Sequence, residues 1–154
     1  MSGMVGVHID IQGDKEVLKV LQLLMAAGTD PGPFLRPLGT QLLRTTRERA
    51  ADEVDPEGKA WEPLSEEYAK RKVRPTMLRE KGILLGGLTR EVEGFDLSLG
   101  TNEVYAAIHQ FGGETGPAGT SSIPAREYLG LSADDILMIQ EEWEDFATRR
   151  GLGR

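Results

Sequence analysis

The sequence contains no cysteine, which excludes disulfides, thiolate metal sites and a cysteine nucleophile. That absence fits a reducing compartment. Histidine is scarce as well, with His8 and His109 the only two. No HExxH, paired histidine or carboxylate cluster accompanies either of them at metal-ligand spacing. Aromatic residues make up 6% of the chain, leaving Trp61, Trp143 and four phenylalanines to anchor a core. Long hydrophobic runs are also missing. The longest apolar window, residues 17–27, is interrupted by Lys19 and Gln22 and is too short to span a bilayer. The opening MSGMVGVHIDIQ has no basic n-region and no apolar h-region, so no signal peptide is read there. A soluble protein with no membrane partner is expected.

What is present suits a single domain over residues 1–154, a length that buries roughly 68–70% of its unfolded surface. The net charge of −7 is unevenly spread. Residues 1–90 hold 14 Lys+Arg against 13 Asp+Glu, whereas residues 91–154 hold 4 against 12. The densest basic run, residues 70–81, carries Lys70, Arg71, Lys72, Arg74, Arg79 and Lys81 with one acidic residue. It reads either as a solvated helix end and loop or as a contact surface for phosphate or an acidic protein face. The run lacks interleaved aromatics and the whole chain is acidic, so specific nucleic-acid binding is not expected.

Periodicity sketches the elements. Val5, Val7, Ile9 and Ile11 alternate with Gly6, His8 and Asp10, the pattern of a half-buried strand with His8 toward solvent. Gly13-Asp14 ends that strand and starts a helix whose apolar face is Val17, Leu18, Leu21, Leu24 and Met25, closed by Gly28. A second helix follows Asp30-Pro31, with Leu35, Leu38, Leu42 and Thr45 or Thr46 as its stripe, running into the charged residues 47–53. Residues 55–64 form an ordered loop anchored by Trp61. Ser65 caps a short helix that Pro75 ends. Residues 92–99 read as one strand with Phe95, Leu97 and Leu99 on one face. Val104, Tyr105, Ile108 and Phe111 stand at helical spacing before Gly112. Residues 112–122 hold four glycines and one proline and read as a flexible loop. Residues 123–129 suit a short strand. Ser132 with Asp135 resembles a capping box ahead of a last helix presenting Ile136, Ile139, Trp143 and Phe146 or Ala147. The fold class expected is α+β: a small antiparallel β-sheet packed against several α-helices.

Other chemistries lack the residues they need. His109 stands as a general base only in isolation, with no partner at catalytic spacing. Glu141, Glu142, Glu144 and Asp145 crowd one helix, but no distal ligand completes a cation shell. The stretch GGETGPAGT lacks the lysine and hydroxyl that a phosphate loop requires, and no apolar helix follows it as a dinucleotide fold demands. No serine occupies a nucleophile elbow. The sequence gives no catalytic, cofactor-binding or metal residues, and no cofactor is expected.

Three segments in order carry a resemblance: DPEGKAWEPLSEEYAKRK at 55–72, ILLGGLTREV with LGTNEVYAAIHQFGG across 83–113, and IPAREYLGLSADD at 123–135. Together they resemble the phage virion-morphogenesis family, the group of the Mu-type G proteins and the P2-type tail-completion S proteins. About half the chain carries the likeness. Gly86-Gly87-Leu88 followed by Thr89-Arg90 departs from it, since the family pattern has Thr-Gly or Ser-Gly before the leucine and a serine after.

The resemblance implies a structural, non-enzymatic role in tail completion or head–tail joining. Other tail or connector proteins would be the partners, and the chain would form a homo-oligomeric ring on assembly. Its place would be the bacterial host cytoplasm and then the tail or neck of the virion. The positions matching the pattern, as packing anchors or interface candidates, are Trp61, Pro63, Leu64, Gly87, Leu88, Tyr105, His109, Phe111, Gly112, Pro124, Arg126 and Tyr128. Arg126 reads either as a surface arginine or as a buried or interface guanidinium gripping a carboxylate. In a head-to-tail ring the basic segment 70–81 would meet the acidic C-terminal half of a neighbour. The alternative reading is a nucleic-acid-binding accessory factor that uses the same basic segment.

Overall fold

A computed structural model describes residues 15–63, 87–101, 106–115 and 121–152. Within them the order is α1 (Lys15–Ala26), α2 (Gly32–Ala51), β1 (Thr89–Glu93), β2 (Asp96–Gly100), α3 (Ala106–Phe111), β3 (Gly113–Thr115), β4 (Ser121–Ile123) and α4 (Ala133–Arg149). The fold is α+β, as expected, with two antiparallel hairpins set against the helices. The expected strand at residues 5–11, with His8, and the helix begun by Ser65 lie outside the described residues, as do Leu64, Tyr105 and the basic segment 70–81.

The helical layer forms because each helix has one apolar face. α2 starts at Gly32, whose N–H donates to the Asp30 carboxylate at 3.0 Å. Pro33 is harmless in the first turn, where its missing N–H has no helical partner to lose. Phe34, Leu35, Leu38 and Leu42 then form a buried stripe that ends on Thr46. α4 answers with Ile139, Trp143, Phe146 and Ala147. Phe34 meets Trp143 edge-on at 5.7 Å between centroids, and Phe146 at 5.4 Å, the offset geometry that ring quadrupoles favour. Each such buried side chain contributes roughly 1.5–3 kcal/mol of transfer free energy.

α1 closes the layer on one narrow side. Val20 and Leu24, one turn apart, are buried, but Leu18 is 42% and Met25 58% exposed. The five-residue stripe expected for α1 is thus corrected to Val20 and Leu24, flanked by partly buried Val17 and Leu23. A helix packed mainly from one side covers only the narrow stripe facing its neighbours. Gly28 ends it at φ +65°.

The single strand expected at 92–99 is a hairpin. β1 and β2 pair in the register Thr89↔Gly100 to Glu93↔Asp96, leaving Gly94-Phe95 as a two-residue turn. Gly94 takes φ +58°, the positive φ at the first turn position of a type II′ hairpin. Phe95 therefore sits at the tip, while Val92, Leu97 and Leu99 pack against the helical core. The hairpin comes close because Gly39 of α2 has no side chain. A Cβ there would lie 2.5 Å from Arg90 Cδ and 2.8 Å from Leu97 Cδ1.

The loop expected over 112–122 is corrected at both ends, since β3 and β4 pair antiparallel from Gly113↔Ile123 to Thr115↔Ser121. The strand expected over 123–129 stops at Ile123. Pro124 has no N–H for a ladder, and the chain beyond it is held by side chains instead.

Candidate functional site

The segments that carry the resemblance converge on the extended stretch 126–130. α2 ends in a Schellman closure, with the Val54 N–H donating to Arg49 O and the Glu53 N–H to Ala50 O. Glu53 adopts φ +57° where glycine is usual. The turn aims the loop 54–61 back across the fold, pinned by the Val54↔Ala60 bridge. Trp61 is buried, and its indole N–H donates to Glu127 O at 2.8 Å. It is the anchor its loop was expected to have.

Four further contacts fix the same stretch. The Arg126 N–H donates to His109 O at 2.8 Å. Its guanidinium reaches the other way, from Nε to Glu62 O at 2.9 Å and from Nη2 to Pro63 O at 3.4 Å. Arg126 is 7% exposed, so the surface reading of this residue is corrected: the guanidinium ties the loop 62–63 to the stretch. Gln110 acts as a substitute strand. Its Oε1 accepts from the N–H groups of Tyr128 and Leu129, and its Nε2 donates to Leu129 O, all within 3.0–3.1 Å. An irregular buried backbone needs such partners, because each peptide group left unpaired away from water costs about 1–3 kcal/mol.

The fifth contact is ionic. Arg49 Nη1 donates to Asp135 Oδ2 at 3.0 Å, with 8% and 2% of the two side chains exposed. Arg49 Nη2 donates to Tyr128 O at 3.2 Å and Gly130 O at 2.9 Å. The same Asp135 oxygen accepts from Ser132 N–H, while Ser132 Oγ accepts from Asp135 N–H, completing the capping box of α4. One carboxylate thus serves the helix cap and the buried ion pair together.

Glycines in the motifs have a steric reason. Gly112 holds φ +71°, and a Cβ there would come within 2.7 Å of Ala125 N and 2.8 Å of Ile123 O. Gly130 lies against Pro56, 2.7 Å from where a Cβ would stand. Leu88 is buried, its carbonyl accepting from Arg47 Nη2 at 3.0 Å, and Gly87 precedes it at the turn into β1. Trp61, Pro63, His109, Gly112, Pro124, Arg126 and Tyr128 are therefore brought together, Leu88 stands under α2, and Phe111 is turned outward at 65% exposure.

The geometry offers structure more than reactivity. Tyr128 is fully buried and its phenol is pushed well above its usual range by desolvation, which keeps it protonated. Among the described residues no group of three His, Cys, Asp or Glu side chains is placed to hold a metal ion. None of the described helices is long and apolar enough to cross a membrane. Sequence reasoning missed Arg49 and Gln110 altogether and saw Asp135 only as a cap. Arg49 looked like one more charge in a solvated run, and nothing but its place in the motif HQFGG marked Gln110.

Comparison with known proteins places this arrangement. The model of the phage virion morphogenesis family matches residues 12–146, well beyond the half of the chain that carries recognisable motifs. Mu-like prophage FluMu G protein 2 of Haemophilus influenzae is 32% identical over 142 residues, covering 91% of this chain and 95% of the relative. The putative capsid assembly protein G of Escherichia phage Mu is 35% identical over 107 residues, 62% of this chain and 66% of its own. FluMu G protein 1 of H. influenzae is 27% identical over 140 residues, 86% and 90% of the two chains. No solved structure matches the chain significantly. With its motifs spent on one buried staple and its likeness running from α1 into α4, the chain belongs to the phage virion morphogenesis family.

Proposed function

We propose that this protein acts without catalysis in tail completion or head–tail joining of a tailed phage or prophage, through contacts with other tail or connector proteins and with copies of itself. The observation that carries the reading is the family match over residues 12–146, and its relatives include a protein named for capsid assembly. The local chemistry supports it. Trp61, Gln110, Arg126 and Arg49 are spent on backbone carbonyls and amides of the same chain, a use that builds a rigid body. Phe111, beside the β3–β4 hairpin, is left exposed, and exposed aromatics are enriched among interface anchors. The sequence adds charges of unlike sign, six basic residues within 70–81 and the Asp and Glu residues of α4, the kind of complement that a head-to-tail ring would pair. Assembly in the host cytoplasm and incorporation into the virion follow from the role.

Deleting the gene from an inducible prophage and imaging the particles tests the proposal. Separate heads and tails are expected, restored to whole particles by the wild-type gene in trans. Phe111→Asp should fold yet fail to restore them. Normal particle yield from the deletion strain would overturn the role. Salt-sensitive DNA binding in a strain with no assembly defect would favour an accessory nucleic-acid factor using residues 70–81 instead.

A further inference from the structure

Helices α1 and α4 each turn one side to the core and leave another outside. On α1 the outer side carries Lys15, Leu18, Gln22 and Met25, with Leu18 42% and Met25 58% exposed. On α4 it carries Asp134, Leu137, Glu141 and Glu144, with Leu137 56% exposed. Both rows advance by three, four and three residues, the spacing that keeps side chains on one side of a helix. At 1.5 Å of rise per residue each row is about 15 Å long. A single exposed leucine is ordinary. Two rows of equal length and step, with a leucine at the same place in each, form a matched pair.

The rows differ in sign. Lys15 stands one turn before Leu18 and Lys19 follows it, while Glu16, the acidic residue of α1, lies two positions away and so on the far side of the helix. On α4, Asp134 and Glu141 flank Leu137 at one turn's distance, Glu144 and Asp145 follow, and no basic residue occurs between Ala133 and Arg149. All of these charged residues are exposed. Within one subunit the two rows do not meet, because α1 packs on α4 through the core side that holds Val20, Leu24, Ile139 and Trp143. Between subunits, two α1 rows would set ammonium against ammonium, and two α4 rows carboxylate against carboxylate. An α1 row laid on an α4 row pairs opposite charges around a leucine contact.

We propose that the outer row of α1 seats on the outer row of α4 of a second copy of this chain, with Leu18 against Leu137. Lys15 then meets Asp134 if the two helices run parallel, or Glu141 if they run antiparallel. The occupant is a second copy because both halves of the join, basic and acidic, are present on this one chain. This contact, which rests on the assembly role proposed above, names where two copies meet. A copy joined through one row keeps the other free for the next copy, which is the heterologous contact from which rings close.

The cysteine-free sequence allows disulfide trapping in the full chain. Leu18→Cys protein is mixed with Leu137→Cys protein and oxidised, and the mixed disulfide is expected at least about tenfold faster than either variant couples to itself. Sedimentation over a concentration series gives the second readout. Lys15→Glu with Lys19→Glu, and separately Glu141→Lys with Glu144→Lys, should each weaken self-association at least about tenfold. Mixing the two variants should restore it, since every row then finds one of opposite sign, and that rescue also shows both variants to be folded. A wild-type chain that stays monomeric throughout, equal coupling in mixed and unmixed samples, or no rescue on mixing would overturn the proposal. So would association that survives both charge variants and is lost in Lys70→Glu with Arg71→Glu and Lys72→Glu, which would assign α4 to the basic segment. These readouts use purified protein, so the contact can fail while the particle defect of the deletion strain still stands.

Discussion

The helical layer and the stretch 126–130 are both buried, yet different forces hold them. Phe34, Leu38, Trp143 and Phe146 are secured by area and shape, each touching many neighbours, so no single atom decides their position. Residues 126–130 have no ladder, and their backbone rests on directed bonds from Trp61, Gln110 and Arg49. Area forgives small changes of shape. Directed bonds in a dry site do not, because losing one partner strands the other.

Substitutions can break or sharpen that contrast. The largest effect is expected for Asp135→Ala, which removes the α4 cap and leaves the Arg49 cation buried, at a cost of about 3–5 kcal/mol in urea unfolding. Arg49→Met combined with Asp135→Leu should recover much of that loss, since exchanging a buried pair for apolar side chains is often neutral. A double variant as unstable as the single one would mean that the cap, and not the ion pair, dominates. Gln110→Leu keeps the volume and strips three bonds from Tyr128 and Leu129, and should cost about 3 kcal/mol. Amide exchange at Tyr128 and Leu129 should rise with it.

Gly112→Ala comes next, at about 2 kcal/mol, from the positive φ and the contact with Ala125 and Ile123. The smallest effect belongs to the helical layer, where Leu38→Met should cost less than about 1.5 kcal/mol. Should Leu38→Met prove more damaging than Gln110→Leu in the same denaturation series, the contrast would fail.

The same division explains what could be read in the sequence. α2 and α4 were legible because Leu35, Leu38 and Leu42, or Ile139, Trp143 and Phe146, repeat at the helical period, and a period is a local signal. Ser132 and Asp135 announced their helix for the same reason, the capping box being four residues long. Trp61 was legible as an anchor because a lone tryptophan in a Pro-Gly loop has little else to do. The hairpin was misjudged where Phe95, Leu97 and Leu99 keep period two across a turn, so the positive φ of Gly94 went unnoticed. Arg49 and Gln110 left no local trace. Their partners lie 86 and 19 residues away, and a single polar residue has no period to betray it.

The Arg49–Asp135 pair has a consequence for how the protein comes into being. Because 86 residues separate the partners, the contact closes a long loop, and loop closure precedes the reward of the bond. At a synthesis rate of about 5–20 residues per second, α2 waits several seconds on the ribosome before α4 is made. Through that interval Phe34, Leu35 and Leu38 have no Trp143 or Phe146 to cover them, and Arg49 has no counter-charge. A chain interrupted before residue 135 lacks the carboxylate that both pairs with Arg49 and completes the α4 cap. The buried pair can therefore form only after α4 has begun, joining the end of α2 to the start of α4.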